Sequence, residues 1–222
     1  MSKRAIFLDG KRSSAAASST TTTTTTWQIT HNDDDGADTA STLFTDTDGI
    51  FSGMEIVGGI AVRPYVAYFR FLNVGIPNAA TIDTAKLVLR TNTAVAGGSG
   101  TDPNLGDPQK IDAIDTASST RPASANDVVG ATGTSAVVNW TLDGPPLPVD
   151  TSYDTPEIKT ILQELVNDGS WASGNNITFR VYNAWSLQEF DISFSNSNAR
   201  FQSRDQSTTH AAKLTATYTY TA

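Results

Sequence analysis

Between Tyr65 and Thr91 the side chains alternate with a period of two, and this pattern narrows the possible folds more than any other feature of the sequence. From Tyr65 to Val74, Ala67, Phe69 and Phe71 fall on one side, and Val66, Tyr68, Arg70 and Leu72 on the other. That period belongs to a strand with at least one buried face. Gly75, Pro77 and Asn78 interrupt it with turn chemistry. Ala85, Leu87 and Leu89 then alternate with Lys86, Val88 and Arg90, which predicts a second strand with its apolar side inward.

Strand patterns recur along the chain. Ile56 to Val62 reads as a short strand weakened by Gly58-Gly59, and Ile111 to Ile114 as another. Val138, Trp140 and Leu142 share one side of a strand, as do Ile177, Phe179 and Val181. Phe190 to Phe194 and Ala199 to Ser203 are short candidates, and Leu214, Ala216, Tyr218 and Tyr220 give the cleanest alternation of all. One helix is expected, at about 155–168. Thr155 is placed as its N-cap, Pro156 at its first position and Gly169 as its left-handed C-cap. Ile158, Ile161, Leu162, Leu165 and Val166 form its apolar face, with Trp171 packed behind. Asp115 to Ser135 is long and irregular, the kind of segment that is functional or held by a partner.

Ser, Thr, Ala, Asn, Asp and Gly dominate the composition, which favours strands joined by polar turns over a helical bundle. The 222 residues suit one sandwich of ordinary size with extra loops. Residues 1–26 stand apart as an N-terminal arm and Thr-rich linker, and residues 27–222 form the sandwich domain. The arm opens with Lys3, Arg4, Ile6, Phe7 and Leu8 and ends in the unbroken tract Thr20 to Thr26, whose β-branched side chains prefer extended backbone. It reads either as a tail or as an arm that docks on a neighbouring subunit through those five residues.

Net charge is −8, and the first twelve residues carry four cations against Asp9, so the remainder is more acidic still. An acidic body argues against nucleic acid as the main partner, because phosphate contacts need clustered Lys and Arg. The absence of cysteine excludes disulfides, thiolate chemistry and Cys-based metal sites. No membrane span is expected, and Ala5 to Leu8 is too short for a signal-peptide core, so synthesis in a cytoplasm is expected.

Asp46, Asp48, Gly49 and Glu55 fit part of the EF-hand calcium loop, but Phe44 stands where the first oxygen ligand is required, so an EF-hand is excluded. A different calcium site on Asp46 and Asp48, or on the Asp33 to Asp38 cluster, stays open beside the plainer role of turn formation. His31 and His210 are the only histidines and lack a Ser-His-Asp arrangement, and no carboxylate pair stands out, so no catalytic residue is assigned. Among the tryptophans, Trp140 points with Val138 toward the core. Trp185, after Asn183-Ala184, is the candidate for stacking on a sugar ring, with packing under a loop as the alternative.

The run Phe69-Arg70-Phe71, the turn Ile76-Pro77 and the stretch Ala80-Thr81-Ile82-Asp83-Thr84-Ala85-Lys86-Leu87 resemble a phage-associated β-sandwich family. The same pattern recurs in bacterial jelly-roll modules that bind polysaccharide. Val138-Asn139-Trp140, the helix, Asp168 to Asn175 and Ala211 to Thr215 follow in the family's order, so the resemblance covers most of Trp27 to Tyr220. It implies an all-β, jelly-roll-like antiparallel sandwich with one helix and an extended N-terminal arm outside it. It also implies a bacteriophage virion structural protein: a capsid decoration, or cement, protein bound to the major capsid protein and to neighbouring copies, with a trimer as the expected oligomer. A glycan-binding tail-fibre or adhesin module is the alternative. The family supplies no catalytic residues and no cofactor.

Overall fold

The computed structural model describes residues 18–45, 49–57, 60–92, 109–140, 149–183 and 197–221. These residues build two antiparallel sheets and one helix, an all-β sandwich. The small sheet runs in the order β1 (Thr20–Gln28), β12 (Lys213–Thr221), β6 (Thr81–Arg90) and β9 (Ser152–Asp154). The large sheet runs β11 (Ser197–Phe201), β4 (Ile50–Val57), β5 (Ile60–Val74), β10 (Asn175–Asn183), β7 (Gln109–Ala113) and β8 (Val138–Trp140). Two short strands, β2 (Asp35–Asp38) and β3 (Leu43–Phe44), complete it, with β2 against β5.

The alternation read in the sequence sorts side chains as expected. Phe69 and Phe71 of β5, Ile177 and Phe179 of β10, Leu87 and Leu89 of β6 and Leu214 of β12 fill the space between the sheets. Phe71 meets Phe179 edge to face at 6.1 Å, and Trp140 stacks on Phe201 with centroids 5.9 Å apart. Trp140 lies on β8 and Phe201 on β11, so side chains from the two borders of the large sheet meet in the core. Burying one such aromatic contributes roughly 2–3 kcal/mol.

Four expectations are corrected. The strand placed across Ile56 to Val62 is two strands, because β4 ends at Val57 and Val57 pairs with Ile60. The Thr tract is not a linker. It is most of β1, zipped to β12 in unbroken register, and the boundary set after residue 26 falls inside that strand. The helix, α1 (Lys159–Val166), starts later than read, with Ile158 at its N-cap. Thr155 does not cap it: its Oγ1 accepts the Leu87 N–H at 3.0 Å and its own N–H bonds the Leu87 carbonyl, extending the edge of β6. Gly169 has no left-handed φ, and Asn167 holds the C-cap. The β5–β6 turn closes that end instead, because Asn78 Nδ2 donates to the carbonyls of Val166 and Asp168. Trp171 packs behind the helix as expected and donates Nε1–H to the Ile76 carbonyl at 2.9 Å. Among the described residues no helix is long and apolar enough to cross a membrane.

Candidate functional site

The outer face of the large sheet is where the chain concentrates its charged chemistry. Val66 and Tyr68 of β5 and Tyr182 of β10 point outward there, and a sheet face that is this apolar needs a cover. Residues 115–135 supply it, with Val128 completing a second apolar cluster. Two arginines from the same outward rows are buried beneath the cover. Arg180 reaches Asp112 with two nitrogens, Nε to Oδ1 at 2.7 Å and Nη2 to Oδ2 at 2.6 Å. Its Nη1 donates to the carbonyls of Val128 and Ala131 at 3.0 and 2.9 Å, and the Tyr182 hydroxyl donates to Asp112 at 3.0 Å. Gly133 lies over this pair so closely that a Cβ there would collide with Arg180 and Asp112.

Arg70 pairs with Asp34 at 2.7 Å and donates Nε–H to the Ser119 carbonyl at 3.1 Å. Arg121, from the cover itself, reaches Asp34 and Asp33 at 3.3 Å. Asp38 is the third anchor. Its Oδ1 accepts the N–H groups of Ala40 and Asn126, and its Oδ2 those of Val128 and Val129, all at 2.9–3.1 Å. From the helix side, the Glu164 carboxylate accepts the N–H groups of Ser135 and Ala136 at 2.7 and 2.8 Å.

Electrostatics follow burial. Burial is the main force lifting the Tyr182 hydroxyl well above the ordinary tyrosine range, with Asp112 adding to it. Tyr68 is raised in the same direction by burial and then by the surrounding aspartates. Asp35, fully buried at the start of β2, has its carboxyl pushed up to about 8, mainly by burial, although the Arg204 N–H bonds it at 2.9 Å. Asp127 is held below the usual carboxylate range because it accepts the N–H groups of Ala123 and Ser124.

The cover encloses a half-open cavity of about 210 Å³ lined by Thr116, Ser118, Thr120, Pro122 and Asp127 among others. Hydroxyls and one carboxylate make it a hydrogen-bonding surface without a nucleophile held against a base. The histidines stand elsewhere: His31 Nδ1 accepts the Asp33 N–H at the turn Asn32–Asp34, and His210 contacts Ser207 within one turn. Among the described residues no three His, Asp or Glu side chains gather as a metal site. In the Asp33 to Asp38 cluster, Asp34 Oδ1 accepts from Arg70 and Asp38 accepts backbone N–H groups, while Asp34 Oδ2 and Asp35 Oδ1 are buried without a hydrogen-bond partner among the described residues.

Lys3, Arg4, Ile6, Phe7, Leu8, Asp46, Asp48 and Trp185 all lie outside the described residues. Sequence reading missed the Arg70, Arg180, Asp34, Asp38 and Asp112 network. The available signal was an arginine in a strand row whose other members, Val66 and Tyr68, are apolar, which marks a covered second face.

No family model matches the chain, and no curated protein matches it. Among solved structures, a chain described as Desmodium yellow mottle tymovirus is similar over 100% of this chain and 94% of its own length, at 9% identity and a TM-score of 0.32, a likeness too distant to carry an inference.

Proposed function

We propose that the chain is a structural protein of a bacteriophage virion, a decoration protein on the capsid surface that grips the major capsid protein and neighbouring copies of itself. The observation that carries this reading is the use of the polar interior. The Arg180–Asp112 and Arg70–Asp34 pairs and the Asp38 carboxylate all tie residues 115–135 down onto the sheet. Such a network stiffens an exterior wall, which suits a body that works by adhering. Charge supports the same role: a basic, apolar arm with Lys3, Arg4, Ile6, Phe7 and Leu8 precedes an acidic body, so the arm of one copy is complementary to the surface of the next.

The deciding measurement is mass spectrometry of purified virions, with copy number set against the major capsid protein. Near-stoichiometric copies are the expected result. A far smaller number moves the chain to the tail or a fibre, the setting of a glycan-binding module, and absence from particles overturns the reading.

A further inference from the structure

The order of the small sheet ends at β1, and among the described residues nothing pairs its outer edge. Nine residues at about 3.3 Å each make an edge roughly 30 Å long. Soluble proteins guard such an edge with charge, proline, a bulge or brevity. β1 has none of these: its sequence is TTTTTTTWQ, and its register with β12 is unbroken. The other borders are guarded. β9 is three residues long and carries Asp154, β8 is three residues long, and β11 carries Arg200.

We propose that this edge pairs with the same edge of a second copy, β1 against β1, antiparallel across a twofold axis. Two copies of a chain with net charge −8 repel wherever their charges face each other, and β1 is a long border with no charge on it. The threonine tract is also complementary to itself, because the register centred on Thr23 sets Thr against Thr throughout Thr20 to Thr26 and the neighbouring registers keep most of those pairs. The outer row of β1 already makes this contact with β12, where Thr22, Thr24 and Thr26 meet Thr219, Thr217 and Thr215 at 2.8, 2.8 and 2.9 Å. Antiparallel self-pairing lets each strand's outward N–H and C=O groups answer the other's, and such a contact closes as a dimer, not a trimer. The inference locates the self-association within the reading above and rests on that reading only for its setting on a particle.

Sedimentation velocity of the full-length chain across the micromolar range tests it. The expected species has twice the 23.5 kDa chain mass. Thr22→Lys with Thr24→Lys sets lysine directly opposite lysine in the antiparallel registers centred on Thr22, Thr23 and Thr24, and should weaken the dimer by about tenfold or more. Thr215→Lys with Thr217→Lys puts the same charge on the same face one strand further in, and should leave the dimer intact. Hydrogen exchange on the parent protein gives a readout independent of any variant: the alternate β1 amides that point away from β12 should lose protection on dilution. The proposal is overturned by a monomer throughout, by an oligomer indifferent to the edge lysines, or by equal weakening from both pairs. It is also overturned if those outward-pointing amides are protected in a monomer, the sign that another segment covers the edge. Virion copy number is a separate measurement, so a chain that is monomeric yet abundant on particles overturns this inference alone.

Discussion

Arg180 has the most to lose from substitution. Arg180→Leu leaves Asp112 buried with the Tyr182 hydroxyl but without its cation and frees two carbonyls of the cover, which should cost about 3–5 kcal/mol in urea unfolding. Arg180→Leu with Asp112→Leu removes both charges and should recover part of that loss, and a double variant as unstable as the single one would show the pair is not a unit. Asp35 makes a prediction about pH. Its ordinary value is 3.8 and its folded value about 8, so between those limits the folded chain binds a proton there that the unfolded chain releases. Stability from this group therefore falls as pH rises through that window, by at most about 1.4 kcal/mol per pH unit. Asp35→Asn has no such titration and can still accept the Arg204 N–H through its amide oxygen. Its stability advantage over the parent should widen between about pH 5 and about pH 8, whereas parallel profiles would mean that Asp35 titrates normally.

The cover is an element without regular structure, held at a few points. Asp38→Ala removes the acceptor for four backbone N–H groups, three of them in residues 126–129, at a cost of about 3 kcal/mol. Exchange should accelerate first across 115–135 and leave β6 and β12 protected; uniform acceleration would show that the cover is not a separate unit. Legibility differed between elements for physical reasons. β5, β6 and β10 were legible because two kinds of side chain alternate along them. β1 was not, because alternation cannot be seen in a row of identical threonines; only the register with β12 shows which ones face outward. The start of α1 was misplaced because Thr155, a good cap in isolation, is captured by the edge of β6. The anchors of the cover were hidden for a similar reason: Asp34 and Asp38 look like turn formers until the outward rows of β5 and β10 are seen to be buried.

At the scale of the molecule, the first and last described strands complete each other, so truncations should not act alike. Removing residues 1–17 should leave the melting temperature nearly unchanged. Removing residues 1–26 strips most of β1, bares the uncharged side of β12 and should give an aggregation-prone protein. Equal behaviour of the two would mean that β1 adds nothing to the sandwich. The same pairing has a consequence during synthesis. Thr22 waits for Thr219, made 197 residues later, which at ribosomal speed is an interval of roughly 10–40 s. Through that interval the nascent segment must stay soluble with no mate. A valine or isoleucine tract of equal β preference would be greasy and prone to stick to its neighbours on the polysome, whereas hydroxyl-bearing threonine keeps the extended bias and remains hydrated until its partner emerges.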